Sequence, residues 1–488
     1  MARNPQRLPY PIWWEAQAIG EIRYADNYSS IQAAITSLPA TGGTVFIPEG
    51  TYTLTSALVL PSNVVLCGSG GATILRCANN TDINIIYAID KTNITIKDLT
   101  LDGNKANNAT AGDRELQNGI YLKDVCTDVL IEGLFIKDTI RSGIKLGQTQ
   151  IEYNQCQRVI IDNCIILDCG VAEGSDVEGI MGKGCVEITV SNCIIKRAYR
   201  HGINFYGSKH LIITGNVSSD AVLNDGICFY NCEYGTITGN IAKDNPHLGI
   251  VINTSTVGED IQDGPCKKIV IADNVVEGGD SYGITSYFDA TAIATYIIIK
   301  GNTVENAGGH GILVLYNNDV IINNNVIENS TDSGIQVEYS ENIVVSGNTM
   351  TTGTYGINIV NSTIRVSVVG NVVHGNSAKG INCNYLSDFA ISGNVVYDND
   401  SDGIFMEGCV EGTITGNSCN DSSTGDGIQL HNSTDVVVSG NQCTDNAGQG
   451  VNETGTTDFT LLDGCNLRGN IGANHTVDAA NSVVGDVI

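Results

Sequence analysis

The sequence predicts an all-β solenoid of about fourteen or more stacked coils, because two residue series recur with one period along most of the 488 residues. In the first series a glycine precedes a branched aliphatic residue fourteen times, in steps mostly of 22 to 24 residues. Such a period is typical of repeat proteins, whose units bury their apolar faces only against their neighbours. The glycines of this series are Gly119, Gly143, Gly179, Gly202, Gly226, Gly249, Gly283, Gly311, Gly334, Gly356, Gly380, Gly403, Gly427 and Gly450.

The second series is an asparagine that follows a short β-branched run, as in LIITGNVSS and FAISGNVVY. These runs alternate and are too short for helices, so each coil is predicted to hold brief strands joined by turns. Because paired strands lie about 4.8 Å apart, we predict an internal ladder of side-chain amides rather than a catalytic set. Its predicted members are Asn216, Asn240, Asn274, Asn302, Asn324, Asn348, Asn371, Asn394, Asn417, Asn441 and Asn470.

The N-terminal part of the chain is predicted to close one end of the solenoid. NYSSIQAAITSLPATGG has the pattern of a short amphipathic helix, with Ser29 or Ser30 as N-cap and Ile31, Ala34 and Ile35 on one face. A helix at this place would cover the exposed edges of the first strands. We divide the chain into an arm or attachment segment at 1–27, the capping helix and first strands at 28–60, the β-helix at 61–470 and a C-terminal tail or cap at 471–488.

The segments that open the solenoid also carry a family resemblance. IQAAI, then GGTVFIPEGTY, then VVLCGSG together resemble the first coil of the single-stranded right-handed parallel β-helix of the pectin-lyase-like superfamily. The Gly-Ile and Gly-Asn repeats extend the resemblance to about residue 470. The superfamily includes polysaccharide lyases, glycoside hydrolases, sugar epimerases and viral tailspikes, so the resemblance implies a polysaccharide partner without selecting a reaction. For a tailspike it also implies a homotrimer.

Charge and hydropathy exclude several partners. The formal net charge is −28 and the pI is about 4.4, so the surface field repels nucleic acid and anionic membranes. No apolar run reaches the roughly 18 residues that span a bilayer. The start MARNPQRLPYPIWWEAQ lacks the apolar core of a secretory signal. We therefore expect a protein of the cell exterior or virion surface that begins after processing or leaves its cell by another route.

The sixteen cysteines are predicted to be buried thiols rather than disulfides. Cys164 and Cys193 occupy the same place in DNCII and SNCII, and Cys419 and Cys443 each lie two residues after a predicted ladder asparagine. No pair of CxxC motifs, or CxxC with a histidine pair, indicates a zinc site. We predict no cofactor and no metal; a bound Ca²⁺ is compatible with the sequence, but no motif indicates one.

The first candidate site is a column of side chains at one lateral position on successive coils. Glu178, His201 and Asp225 each stand directly before a repeat glycine on three consecutive coils. Two coils separate the carboxylates by about 9–10 Å at the backbone, and side-chain reach can bring them to the spacing of a glycosidase pair. His201 between them can take part in proton transfer. We therefore predict that these three residues are catalytic, and we favour hydrolysis by the paired carboxylates.

Further polar residues of the same coils are predicted to bind substrate. Lys183, Tyr206 and Tyr230 stand three residues after the repeat isoleucines, and Arg200 and Asn204 lie beside them. The tyrosines can stack on sugar rings. The two cations, with Lys145, would also suit elimination, which we favour less because acids surround them.

A second candidate cluster repeats this geometry nearer the C-terminus: Lys379, Asp402, Glu407, Asp426 and His431. In both clusters the aspartates could instead have a purely structural role, because an aspartate before a glycine commonly stabilises a tight turn.

Two local motifs add to the family resemblance. RHGINF resembles the Gly-His-Gly segment of polygalacturonases, which implies that His201 lies beside catalytic carboxylates, but the chain lacks that family's Asp-Asp doublet and Arg-x-Lys motif. NPHLGI, around His247, is similar to the Asp-Pro-His motif of alginate epimerases, with Asn245 in place of the acid.

Three functions stay open at this point. The first is a tailspike-like protein that binds and cuts a surface polysaccharide, attached to a larger particle by its N-terminal arm. The second is a free-standing secreted polysaccharide lyase, hydrolase or epimerase. The third is a structural or adhesive β-helix without catalysis. Whether the chain is an enzyme is left open; if it is, hydrolysis is favoured over elimination.

Overall fold

The strands of the computed structural model stack into three parallel sheets, which together form the predicted solenoid. The structure describes residues 21–110, 113, 115–148, 155–171, 176–254, 264–288, 290, 293–458, 460–476 and 482–487. The solenoid has about 18 turns, so the prediction of an all-β solenoid with fourteen or more coils is confirmed. A regular coil passes through sheet A, then sheet B, then sheet C.

Each sheet is a column of short strands. Sheet A consists of Glu21–Tyr24, Gly43–Phe46, Val64–Cys67, Thr92–Lys97, Thr127–Glu132, Gln157–Asp162, Val186–Ser191, Lys209–Thr214, Glu233–Thr238, Lys267–Ala272, Ala294–Lys300, Asn317–Asn323, Glu341–Ser346, Ile364–Val369, Ser387–Ser392, Val410–Thr415, Thr434–Ser439, Leu461–Asp463 and Val483–Val484. Sheet B consists of Gly50–Leu54, Thr73–Cys77, Thr100–Asp102, Phe135–Lys137, Ile165–Leu167, Ile194–Lys196, Val217–Ser219, Ile241–Lys243, Val275–Glu277, Thr303–Glu305, Val326–Glu328, Thr349–Thr351, Val372–His374, Val395–Tyr397 and Ser418–Asn420. Sheet C consists of Leu58–Val59, Ile86–Ile89, Ile120–Lys123, Ile144–Leu146, Ile180–Lys183, Ile203–Tyr206, Ile227–Tyr230, Ile250–Asn253, Ile284–Tyr287, Ile312–Leu315, Ser333–Glu338, Tyr355–Val360, Ile381–Asn384, Ile404–Glu407, Ile428–His431, Val451–Thr454 and His475–Thr476.

Register explains the sequence period. Ile180 pairs with Ile203, and Ile203 pairs with Ile227, so residues about two dozen positions apart lie directly over one another. These isoleucines are fully buried and form part of one continuous apolar core inside the solenoid.

The repeat glycines are required by close contact between coils. A Cβ on Gly202 would lie 2.8 Å from the carbonyl oxygen of Gly226, and one on Gly380 would lie 2.7 Å from that of Gly403. Real Cβ atoms essentially never approach within 3.0 Å of another heavy atom. Glycine therefore recurs at the start of the sheet C strands because a side chain there would clash with the backbone of the next coil.

The predicted asparagine ladder is present inside the solenoid. Asn371 shows its pattern, because its Nδ2 donates to Oδ1 of Asn394 and to the carbonyl oxygen of Val345, each at 2.9 Å. The ladder runs from Asn216 to Asn441, and its members are buried. Each amide thus satisfies polar groups that would be costly to bury without partners.

Two members of the predicted ladder are wrong. Asn325 rather than Asn324 belongs to the ladder, because Asn324 is exposed and takes the left-handed turn conformation, with φ of 54°, that Gly301 has one coil earlier. Asn470 belongs to a separate ladder, in which its Oδ1 accepts a hydrogen bond from Nδ2 of Asn446 at 3.0 Å.

The predicted N-terminal helix is short. It spans Ile31–Thr36, and Ser30 is its N-cap, with Oγ accepting a hydrogen bond from the backbone N–H of Ala33 at 3.1 Å. A helical cap is not supported, because helix makes up only 3% and the terminal strand of sheet A at this end, Glu21–Tyr24, is mostly exposed. Single 3-10 turns lie at Ala25–Asn27, Gly70–Ala72 and Lys105–Asn107.

Three other features bear on the predictions. All sixteen cysteines are free thiols and fifteen are buried, which confirms the prediction made for them. Within the described residues no helix has the length and apolarity to cross a membrane. Most of the predicted arm, residues 1–20, lies outside the described residues.

Candidate active site

The first candidate column lies where three adjacent strands of sheet C begin. The backbone N–H of Gly179 donates to the carbonyl oxygen of His201 at 3.0 Å, and that of Gly202 donates to the carbonyl oxygen of Asp225 at 3.1 Å. Glu178, His201 and Asp225 therefore stand on one side of the solenoid on successive coils, as their spacing predicts. All three side chains are buried.

Asp225 is held between two histidines. Its Oδ2 lies 3.1 Å from Nδ1 of His201, and its Oδ1 lies 2.7 Å from Nδ1 of His247. The backbone N–H of Leu248 also donates to Oδ1 at 3.0 Å. Burial alone would raise the pKa of Asp225, but the hydrogen bonds from His201 and His247 outweigh it and hold that pKa well below its ordinary value.

The carboxylate of Asp225 determines which nitrogen of His201 faces it as a donor. An ionised carboxylate can only accept hydrogen bonds, so a proton on Nδ1 of His201 fits this contact, and in the tautomer with one proton the lone pair is on Nε2. Nδ2 of Asn224, a half-buried side chain, lies 3.4 Å from that Nε2. The pair therefore has the arrangement of a histidine base oriented by an aspartate.

Cys228 completes a group of three atoms that could ligate a metal. Its Sγ lies 3.1 Å from Nδ1 of His201 and 3.4 Å from Oδ2 of Asp225. These separations are ordinary hydrogen-bond distances for sulfur, and the thiol and the imidazole N–H both have the carboxylate as acceptor. Burial, together with Asp225, raises the pKa of the Cys228 thiol well above its usual range. We therefore assign the three to a hydrogen-bond network.

Glu178 lies one coil below His201 and is fully buried. Its Oε2 accepts a long hydrogen bond of 3.5 Å from Oγ of Ser142. Its Oε1 has no hydrogen-bond partner among the described residues, and Nη1 of Arg200 lies 3.8 Å away. The side chain of Arg200 is about one quarter exposed, so it lies between the buried carboxylate of Glu178 and the solvent.

The predicted substrate-binding residues lie in register on the same strands. Lys183, Tyr206 and Tyr230 pair in sequence, and the two tyrosine rings stack with centroids 4.8 Å apart. Asn204 pairs with Cys228 and is fully buried. Burial raises the pKa of both tyrosines above the ordinary value, so both hydroxyls keep their protons near neutral pH.

Sequence reasoning missed Asp176, which links two cations next to this column. Its carboxylate accepts a hydrogen bond of 3.0 Å from each of Lys145 and Lys183. Burial would raise the pKa of Asp176, but the two lysines outweigh it and lower that pKa. Lys145 is fully buried, with its Nζ 5.0 Å from the centre of the Tyr121 ring. The one sequence signal was a second acid two residues before Glu178.

The two aspartates of the second candidate cluster accept hydrogen bonds from the backbone of neighbouring coils. Oδ1 of Asp402 accepts a hydrogen bond from the N–H of Asp426 at 2.9 Å. Asp426 in turn accepts from the N–H of Gln449 and, at 2.7 Å, from Nδ2 of Asn452. Burial raises the pKa of Asp402 above its usual value. These contacts are those of turn-stabilising aspartates.

The other members of this second cluster lie nearby without meeting as a catalytic group. Nζ of Lys379 stacks over the ring of Phe405, 3.1 Å from its centre. Glu407 pairs with His431, whose Nδ1 lies 2.9 Å from Oγ1 of Thr454. Burial lowers the pKa of Lys379. Of the two clusters, the first combines a histidine–aspartate pair, an arginine and two tyrosines.

Two family models match parts of the chain. The model described as the right-handed beta helix region matches residues 84–262. The model described as the periplasmic copper-binding protein NosD matches residues 261–376 and 295–455.

Among curated relatives, the mannuronan C5-epimerase AlgE4 of Azotobacter vinelandii is 29% identical over 202 residues, which is 38% of this chain and 34% of the relative. The match thus spans about a third of that protein's length. Among solved structures, the A-module of mannuronan C5-epimerase AlgE6 from the same organism is 17% identical with a TM-score of 0.37, covering 95% of this chain and 99% of the other. A tailspike of Escherichia coli bacteriophage HK620, solved with a hexasaccharide, is 14% identical with a TM-score of 0.48, covering 84% and 71%.

Proposed function

Because the chain is a right-handed parallel β-helix of the pectin-lyase-like superfamily, we propose that it is an enzyme that acts on a polysaccharide of uronic acids. The proposed reaction removes the proton from C5, the carbon next to the sugar carboxylate. The curated relative reported above supports this choice, because AlgE4 is by its name an epimerase that acts at C5 of mannuronan. The site supports it more directly.

The observation that carries the proposal is the pairing of His201 with an aspartate that is held ionised. Asp225 lies 3.1 Å from Nδ1 of His201 and accepts further hydrogen bonds from His247 and Leu248. It therefore fixes the tautomer in which Nε2 of His201 can accept a proton. A positioned histidine base accelerates proton transfer by roughly 10²–10⁴-fold.

Cations beside the histidine suit a substrate carboxylate. Removing the C5 proton places negative charge on that carboxylate, so a nearby cation lowers the barrier. Arg200 is about one quarter exposed and directly precedes His201, and Lys183 lies one coil below Tyr206. We assign carboxylate neutralisation to Arg200, with Lys183 as a further contact.

The stacked tyrosines supply the group that returns a proton. Tyr206 and Tyr230 remain protonated because burial raises the pKa of each. In the proposed step, Nε2 of His201 takes the C5 proton and the bonding electrons pass into the carboxylate as an enediolate. A tyrosine hydroxyl that protonates the opposite face of C5 completes an epimerisation. If the C4–O bond breaks instead and a tyrosine hydroxyl protonates the departing C4 oxygen, the product is a C4–C5 double bond and the reaction is that of a lyase.

Hydrolysis by paired carboxylates is the second candidate. It is favoured by the position of Glu178 and Asp225 on one column and by Oε1 of Glu178, which has no hydrogen-bond partner among the described residues. A glycosidase needs one of its two acids protonated. Asp225 cannot take that role because its pKa is held low, so Glu178 would be the acid.

The fold does not distinguish a secreted enzyme from a virion spike or an adhesin. A secreted enzyme and a virion spike would use the same site. The spike would add a homotrimer and attachment through residues 1–27. An adhesin would bind the polymer without changing it. Light scattering of the purified chain gives its mass in solution, and a mass of one chain would exclude the trimer.

A panel of polysaccharides separates these functions. The chain is incubated with polymannuronate, polygalacturonate and bacterial capsular polysaccharides, and the products are examined by NMR, by the absorbance of unsaturated sugars and by reducing ends. Altered stereochemistry at C5 or unsaturated ends would support the proposal. Reducing ends without unsaturation indicate a hydrolase and would contradict it. Unchanged polymer that is still bound indicates an adhesin.

A further inference from the structure

Tyrosines continue along the edge of sheet C beyond the candidate active site. Tyr206 and Tyr230 stand at the last position of their strands, and Tyr287 occupies that position two coils after Tyr230, paired with Asn253 of the coil between. One residue further along the chain, at the turn that follows sheet C, stand Tyr316, Tyr339 and Tyr385. We call these six residues the tyrosine track.

The rings of the outer part of the track face solvent. The exposed fraction is 44% for Tyr287, 45% for Tyr339 and 58% for Tyr385. Tyr316 is partly buried against the core, and its ring stacks on that of Tyr339 with centroids 4.8 Å apart and an angle of 9°. The facing sides of the two rings cover each other, so a ligand would contact the exposed remainder of the Tyr339 ring.

The ring of Tyr385 lies close to the turn of the next coil. The next residue in this column is Gly408, and a Cβ there would lie 2.8 Å from the Tyr385 ring. Polar side chains flank the rings on the strand side, because Glu338 directly precedes Tyr339 and Asn384 directly precedes Tyr385. Flat aromatic rings beside carboxylate and amide acceptors suit sugars, whose apolar faces stack on the rings while their hydroxyls donate.

The track follows the solenoid axis. The strand with Tyr230 and the strand with Asn384 are six coils apart along sheet C, so the track extends about 29 Å beyond the candidate site at 4.8 Å for each coil. A ligand that occupies both must be long and thin and must have repeated, similar units. A polysaccharide chain has this shape.

We propose that the tyrosine track binds the part of the polysaccharide chain that extends from the active site toward the C-terminal end of the solenoid. The proposal rests on the proposed function for its continuity with the active site. Binding along the track would hold a long polymer on the enzyme, whereas an oligomer that fills only the active site would not reach it.

The test compares a double variant, Tyr339→Ala with Tyr385→Ala, with Tyr296→Ala. Tyr296 is a matched control, because it is 58% exposed and has φ of 60°, close to the 60° of Tyr385, but it lies on sheet A, away from the track. Binding of the full chain to polymannuronate and polygalacturonate is measured by affinity electrophoresis, and each variant is checked for an unchanged melting temperature.

The double variant is expected to bind the polymer about 4- to 100-fold more weakly, at about 2- to 10-fold for each ring, and Tyr296→Ala is expected to bind as the wild type does. Equal binding by all three proteins, an equal loss in the control, or no binding of either polymer by the wild type would overturn the proposal. The assay needs no turnover, so polymer that is bound but not altered would refute the proposed function and leave the track in place.

Discussion

His201 and His310 occupy the same column of sheet C, each directly before a repeat glycine, but their neighbours differ. Nδ1 of His201 lies 3.1 Å from the carboxylate of Asp225. Nδ1 of His310 accepts a hydrogen bond from the backbone N–H of Ser333 at 3.2 Å, and burial lowers its pKa. The position on the coil is therefore shared by both histidines, and the carboxylate one coil away is what distinguishes His201 as the proposed base.

Replacing His201 should remove catalysis and leave the fold. In His201→Gln, kcat on the polyuronate that the wild type converts is expected to fall roughly 10²–10⁴-fold, because the amide cannot take up the C5 proton. His310→Gln is the matched control and should keep the wild-type kcat. Activity of His201→Gln within a factor of a few of the wild type would contradict the assignment.

His247 makes a pH-dependent contribution to stability. The hydrogen bond to Asp225 raises the pKa of His247 above its unfolded value, despite partial desolvation. A raised pKa stabilises the fold below the unfolded value, and this stability is lost as the pH rises through the folded value. The side chain is 57% exposed, so the effect is screened.

The free energy of unfolding of His247→Asn should therefore be lower than that of the wild type by less than about 1 kcal/mol at pH 5, and the difference should shrink by pH 9. Urea denaturation at the two pH values measures it. A difference that grows as the pH rises would show that the sign is wrong.

At the scale of the strands, each coil depends on its neighbours for stability. The asparagine ladder contributes to this dependence, because each of its side chains hydrogen-bonds to adjacent coils. Asn371 accepts from the N–H and Nδ2 of Asn348 and donates to Val345 and Asn394. Removing the amide leaves several buried polar groups without partners at once. Each such group costs about 1–3 kcal/mol.

Asn371→Leu is accordingly expected to lower the free energy of unfolding by about 3 kcal/mol or more. Asn324→Gly is the matched control, because Asn324 is exposed with φ of 54° and glycine fills that turn in the coil before it. The control should stay within about 0.5 kcal/mol of the wild type. Equal effects of the two substitutions on chemical denaturation would show that the ladder makes no special contribution to stability.

The period of the sequence predicted the coils, their register and the column of Glu178, His201 and Asp225, because a steric limit recurs in every coil. It could not separate Asn324 from Asn325, since two adjacent asparagines satisfy the same pattern while only the left-handed turn decides which one enters the core. Asp176 and Cys228 were also missed. Their roles depend on contacts with Lys145, Lys183 and His201, which no spacing rule encodes.

The whole molecule carries a net charge of −28, which opposes the approach of a polyanion. Raising the ionic strength from about 10 mM to about 150 mM shortens the screening length from about 30 Å to about 8 Å. KM for a long polyuronate is therefore expected to fall severalfold over this range, and KM for a short uronate oligomer should change less. KM values for both substrates that rise with salt would indicate that local cations dominate the encounter.

Exchange of the C5 hydrogen with solvent tests the central claim most directly. The wild-type chain is incubated in D₂O with polymannuronate and with polygalacturonate, and proton NMR follows the C5 signal. That signal is expected to be lost in at least one polymer with the wild type and with His310→Gln, and to be retained with His201→Gln. A C5 signal that persists with the wild type while the chain cleaves either polymer would contradict removal of the C5 proton by His201.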